Sequence, residues 1–177
     1  WGETALLRHT FPDVKQLLFS EFYYHGRNSD IDFDPEFWRE GDSEALVKGM
    51  AKNAVMGMAL AEADVIVAPT EFQASRLPPA FAARTRVIHE GVDTDAIRPG
   101  PAAPFPLDDG RVIAPGTPVV THINSQMEPL RGLHVFARAL PRLLQAVPDA
   151  QVLIVGTDRR RGYGAVAPPG RTWRQVY

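Results

Sequence analysis

The stretch from Val119 to Gly156 constrains the fold more than any other. Val119-Val120-Thr121-His122-Ile123-Asn124 is β-branched and apolar enough for a strand. A loop follows, Ser125-Gln126-Met127-Glu128-Pro129-Leu130-Arg131-Gly132. Leu133, Phe136, Ala137, Leu140, Leu143, Leu144 and Val147 then recur at helical spacing, and Val152-Leu153-Ile154-Val155 reads as a second strand ending at Gly156. Strand, loop, helix and strand in so short a span make a βαβ unit. Open parallel sheets bind ligands at the carboxyl ends of their strands, and there the chain carries Glu128 and Arg131. Pro141, inside the helical pattern, deletes one backbone bond and should kink the helix.

Upstream, Glu3 to His9 suit the tail of a short helix stopped at Phe11-Pro12-Asp13, and Gln16 to Phe22 read as a buried strand. Tyr23 to Gly41 show no sustained period but carry several aromatics, which predicts an ordered loop. Asp42 can cap a helix over Ser43–Ala63, with Leu46, Met50, Ala54, Met58 and Ala61 on one face and a Glu44–Lys48 pair on another. Asp64 to Ala68 form a strand, Thr70 and Gln73 a capping box for a helix ended by Pro78-Pro79, and Arg86 to His89 a further strand. The order is β-loop-α-β-α-β, an α/β pattern with a parallel sheet.

Composition then shifts. Pro99, Pro101, Pro104 and Pro106 mark a surface linker, with a small extra strand over Arg111–Ala114. The expected organisation is 1–97, a proline-rich linker at 98–117, and a second α/β part at 118–177. Each part has few strands for a doubly wound domain, so the second leaves a sheet edge and helix faces uncovered.

Bulk properties exclude several classes. With 177 residues, 45% hydrophobic and 23% charged, the chain is of the globular type. A formal charge of -2 gives no drive toward nucleic acid. The absence of cysteine excludes disulfides, thiolate metal sites and a Cys nucleophile. The start at Trp1 carries no secretory leader pattern.

Four motifs carry candidate chemistry, each with a plainer reading beside it. In Glu128-Pro129-Leu130-Arg131-Gly132, Pro129 suits a helix first turn. Free N–H groups there attract an anion, Arg131 offers a phosphate two parallel donors, and Gly132 admits a ligand to the backbone. Alternatively this is an ordinary helix start with Arg131 on the surface or paired to Glu128. His89-Glu90-Gly91-Val92-Asp93 ends a strand, either as a cleft edge or as a turn closed by Asp93 and Asp95. His25, Asp30, Asp32 and Asp34 match no metal-ligand spacing and read as a structured loop. Arg159-Arg160-Arg161 read as a solvated charge run.

Taken in order, these residues resemble the retaining GT-B glycosyltransferases of family 4. The resemblance runs through Trp1-Gly2-Glu3, Glu21-Phe22-Tyr23-Tyr24, Phe33-Asp34-Pro35-Glu36-Phe37, Asn53-Ala54, Ala63-Asp64 and Pro69-Thr70. It continues through Val87 to Thr94, Glu128 to Gly132, Pro148 to Gly156 and Tyr163-Gly164. It implies an α/β fold of two incomplete Rossmann-like halves, the acceptor side on 1–97 and the nucleotide-sugar donor side on 118–177. Arg131 and Gly132 would grip the donor diphosphate, and Glu90 and Gly91 would lie at the cleft edge near the hinge. Ser125 stands six places before Arg131, where the family usually has a second basic residue. No residue of the chain is assigned a catalytic role. The glycine-rich loop and the paired glutamates of the family are expected before Trp1 and after Tyr177.

The implied activity is sugar transfer with retention from a nucleotide-sugar to an unknown glycan, lipid or small-molecule acceptor. No metal or other cofactor and no nucleic-acid partner are expected. Cytoplasmic location is expected, with peripheral membrane contact in a full-length parent. The alternative is a non-catalytic remnant or assembly module of the same fold.

Overall fold

The computed structural model describes residues 4–29, 31–37, 43–159 and 162–177. The expectations placed on Trp1, Gly2, Glu3, Asp30, Gly41, Asp42, Arg160 and Arg161 lie outside them. The chain divides into two compact units, Trp1–Thr94 and Asp95–Tyr177.

The first unit contains α1 (Leu7–Thr10), β1 (Leu17–Phe19), α2 (Ser43–Glu62), β2 (Val65–Ala68), α3 (Glu71–Arg76) and β3 (Thr85–Val87). Among the described residues the strands form one parallel sheet in the order β1-β2-β3, with Leu18 opposite Ile66 and Val67 opposite Arg86. Leu18, Met56, Ala59, Leu60, Ala63, Ile66 and Leu77 make its core. This is the parallel α/β arrangement read from the sequence.

Three details differ. β1 is shorter than Gln16–Phe22 and is not buried throughout: Leu18 is 7% exposed but Leu17 is 65% and Phe19 45%. Strand side chains alternate between faces, and of β1 only Leu18 joins the buried cluster with the α2 residues. α2 buries Gly49, Met56, Ala59 and Leu60, whereas Met50 and Met58 are largely exposed. A strict four-residue ladder drifts about 40° per step around the helix, so Leu46, Met50, Ala54 and Met58 cannot hold one face. Asn53 on the inner face receives Tyr24 N–H (2.9 Å) and donates to Tyr24 C=O (2.7 Å), docking the 23–37 loop on the helix. Third, the Thr70 hydroxyl caps α3 by accepting from Gln73 N–H, but the Gln73 amide donates to Glu21 C=O instead of closing the box.

The second unit contains β4 (Phe105–Pro106), β5 (Val112–Ile113), β6 (Val119–Gln126), α4 (Leu133–Ala146), β7 (Gln151–Thr157) and α5 (Trp173–Val176). β4 and β5 pair antiparallel, so the proline-rich stretch folds a hairpin around the expected extra strand. β6 and β7 pair parallel, the βαβ unit read from the sequence. α4 runs as one helix across Pro141. Ile123, Ile154 and Val155 stay largely exposed on this sheet. Among the described residues no helix is long and apolar enough to cross a membrane.

Candidate functional site

β6 continues two residues past the expected end at Asn124, so Ser125 and Gln126 lie on the strand rather than in a loop. The register with β7 shifts between Ile123 and Gln126. Close approach requires glycine on the facing strand: a Cβ at Gly156 would fall 2.4 Å from Asn124 C=O. The Thr157 hydroxyl lies 2.5 Å from Ser125 C=O and 2.9 Å from Gln126 Oε1, tying the two carboxyl ends together.

Pro129–Arg131 form a separate 3-10 turn, not the first turn of α4. Gly132 adopts φ 77°, a left-handed conformation that glycine tolerates, and α4 begins at Leu133. The requirement for glycine at 132 is therefore conformational. Asn124 holds the end of the turn by donating to Arg131 C=O at 3.3 Å. His122 stacks on Phe136 at 4.8 Å, fixing α4 against β6.

Glu128 is not the partner of Arg131. It is fully buried, and its carboxylate accepts Tyr163 N–H (3.2 Å) and Gly164 N–H (3.0 Å). The glycines follow from this grip. A Cβ at Gly162 would fall 2.1 Å from Glu128 Oε2, and one at Gly164 2.9 Å from Leu130 Cβ. Tyr163, 81% exposed between them, takes the Arg131 guanidinium over its ring at 5.7 Å. Such a cation–π contact holds the charge in place while leaving its N–H donors for a ligand.

Ser125, Gln126, Thr157, Arg159, Gly162 and Tyr163 line a cavity of about 380 Å³ at these strand ends. A larger cavity of about 650 Å³ lies in the same unit, lined by Leu107, Leu133, Leu140, Val152 and Tyr177 among others. It shares no lining residue with the smaller one, and Asp108, Asp109, Arg111 and Arg174 line it beside the apolar side chains. The smaller is the stronger candidate, because it lies at the carboxyl ends of the parallel strands β6 and β7.

Of the residues read from the sequence as a diphosphate grip, Ser125 lines this cavity, while Arg131 and Gly132 close the turn between β6 and α4. Glu90 and Gly91 lie in the first unit, exposed after β3, where Gly91 at φ 79° donates its N–H to His89 Nδ1 at 2.9 Å. The acidic loop residues serve turns: Asp32 accepts from Ser29 and Asn28 N–H, which lowers its pKa, and Asp34 accepts from Glu36 N–H. The roles of Glu128 and Arg159 escaped the sequence reading. The signal for the first was Gly162-Tyr163-Gly164, two glycines flanking an aromatic, the mark of a backbone pressed against something.

The family model described as glycosyl transferase family 4 group matches residues 1–97. The chain is 31% identical over 103 residues to a D-inositol 3-phosphate glycosyltransferase of Segniliparus rotundus, covering 56% of this chain and 22% of the relative. It is 35% identical over 97 residues to a GDP-mannose-dependent alpha-(1-6)-phosphatidylinositol monomannoside mannosyltransferase of Mycolicibacterium smegmatis, covering 54% and 25%. A GDP-mannose-dependent monoacylated alpha-(1-6)-phosphatidylinositol monomannoside mannosyltransferase of Corynebacterium glutamicum is 32% identical over 101 residues, covering 55% and 26%. The matches therefore span about a quarter of the length of these curated relatives. No solved structure matches the chain.

Proposed function

Because the chain belongs to the glycosyl transferase family 4 group, we propose that it is part of a GT-B enzyme that moves a sugar from a nucleotide-sugar to an acceptor with retention. In this reading the two units are portions of two Rossmann-like halves joined through residues 98–117. The second grips the donor diphosphate and the first faces the acceptor, with Glu90 and Gly91 at the cleft edge.

The observation that carries the proposal is the Arg131 guanidinium, held over the ring of Tyr163, which lines the cavity at the carboxyl ends of β6 and β7. As the bond from sugar to diphosphate breaks, negative charge grows on the leaving phosphate. A fixed cation there stabilises the transition state more than the ground state. A guanidinium doing this work calls for no metal. Two relatives are named for GDP-mannose, so GDP is the first nucleotide to test. Those names also make a phosphoinositide-type lipid a reasonable acceptor class, which fits peripheral membrane contact from the cytoplasm by the longer enzyme.

Calorimetric titration of GDP into the chain tests the site. Arg131→Ala is expected to weaken binding about tenfold or more, the worth of one charge-assisted hydrogen-bonding group. Unchanged affinity would contradict the role given to Arg131.

A second reading, a non-catalytic module of the same fold, is favoured by one observation. Ser125 lines the cavity with a neutral hydroxyl and brings no charge. GDP binding without sugar transfer by the protein in which this chain occurs would support it. Transfer by that protein would exclude it.

A further inference from the structure

His122 and Asn124 stand two residues apart on β6 and so share one face of the strand. The His122 ring lies against Phe136 of α4. The Asn124 side-chain nitrogen is 3.0 Å from His122 Nε2 and 3.3 Å from Arg131 C=O. A carbonyl can only accept, so the end of Asn124 turned toward Arg131 is its NH2 group. That group has two N–H bonds, one for the carbonyl and one for the imidazole. Nε2 of His122 therefore accepts, and the ring in this arrangement is neutral with its proton on Nδ1.

A proton on Nε2 breaks the arrangement. Both nitrogens of a charged imidazole are donors, so two N–H groups would face each other across the gap between His122 and Asn124. Turning the amide brings its oxygen to the ring, and the same rotation takes its NH2 away from Arg131 C=O. The carbonyl that ends the Pro129–Arg131 turn then loses its side-chain donor, next to the left-handed Gly132.

The surroundings leave this exchange to Asn124. Apart from His122 itself, β6 and β7 carry no titratable side chain, and the partner of His122 across the ladder is Ile154. The positions of α4 that share the Phe136 face are Leu133, Ala139, Leu140 and Leu143. His134 lies 6.2 Å from the Tyr177 ring, and the Arg138 guanidinium lies over that ring at 5.3 Å. At the turn, the Glu128 carboxylate accepts from Tyr163 and Gly164, and the Arg131 guanidinium lies over Tyr163. Among the described residues no carboxylate is within ion-pair distance of His122.

We propose that His122 and Asn124 form a proton-operated latch on the Arg131 turn, closed while the imidazole is neutral and open once it is charged. The bond to Asn124 exists only for the neutral ring. The latch is therefore closed at high pH and released as pH falls through the range of about 8 to 5 in which histidine changes charge. Arg131 stays charged throughout, so the latch alters where that cation is held and not its charge. It is a property of the turn and holds whatever the turn binds.

The test is ligand-free NMR of the isotope-labelled full chain between about pH 8 and pH 5. At the upper end the ring nitrogens of His122 should show hydrogen on Nδ1 and a bare Nε2. The Gly132 amide, whose peptide contains the Arg131 carbonyl, should shift with the same midpoint as the His122 ring. His122→Phe keeps a ring against Phe136 and cannot titrate, so it is expected to abolish that shift. It also separates His122 from His134, which stands two residues beyond Gly132. Asn124→Ala is expected to leave His122 titrating while Gly132 no longer follows. Folding of both variants is checked by circular dichroism. Hydrogen on Nε2 at the upper end overturns the latch, and that reading needs no variant. A Gly132 shift of undiminished size in His122→Phe overturns it too, as does one that still follows His122 in Asn124→Ala. None of these readings involves a nucleotide, so they are distinct from the GDP titration on which the diphosphate reading stands or falls.

Discussion

Two carboxylates show how much a single residue can carry. Glu128 has no access to solvent and spends its oxygens on the N–H groups of Tyr163 and Gly164. Each donor orphaned by its loss costs about 1–3 kcal/mol. Glu128→Ala should therefore lower the stability of the second unit by roughly 3 kcal/mol, measured by urea denaturation. Gly162→Ala should also destabilise it, since the added methyl meets the same carboxylate. A wild-type urea midpoint for either variant would show that the grip is not structural. Asp64 acts at neutral pH in a different way. Its pKa is held well below the usual carboxylate range, first by the Arg8 hydrogen bond at 2.7 Å and then by Gln16 N–H. A depressed folded pKa stabilises the folded state above the unfolded value near 3.9, and that stability fades as pH falls below it. Asp64→Asn should lower stability at pH 7 and narrow its deficit against the unmodified chain at pH 3. A deficit as large at pH 3 as at pH 7 would contradict this.

At the scale of elements, periodicity carried most of the information. β6, α4 and β7 were legible because β-branched runs bracket a helical period, and the parallel order of β1 to β3 followed from alternation of strand and helix. The inner face of α2 was not legible. Its apolar residues surround the helix, and the polar Asn53, which holds Tyr24, marks the inside. The helix start after Glu128 was misread because Pro129 signals a first turn equally well for a 3-10 turn, and only Gly132 in a left-handed conformation separates the two. Ser125, Arg131 and Gly132 belong to one βα junction that is legible from sequence, although the strand runs past Asn124 and takes Ser125 out of the expected loop. Arg159 could not, because its place depends on a hydrogen bond from a strand far earlier in the chain. One prediction belongs here. Pro141 is exposed and interrupts the bond to Ala137 inside α4. Pro141→Ala should stabilise the second unit by about 1–3 kcal/mol, seen as a higher urea midpoint; destabilisation would mean that the ring packs usefully.

For the molecule as a whole, each unit has a parallel sheet with large apolar side chains left exposed, Leu17 and Phe19 in one and Ile123 and Val155 in the other. The family is set by the first unit, where the family model matches. The proposed donor chemistry sits in the second, at the junction of β6 with the Arg131 turn and the Glu128-bound loop. The most direct test is therefore one that reports on both units at once: an amide-resolved NMR titration of the chain with GDP. Saturable shifts should concentrate at Ser125–Gly132, Arg159 and Gly162–Gly164, leaving residues of β1 to β3 unmoved. Shifts confined to the first unit, or spread over the larger cavity around Leu140 and Val152, would contradict a diphosphate grip at the ends of β6 and β7.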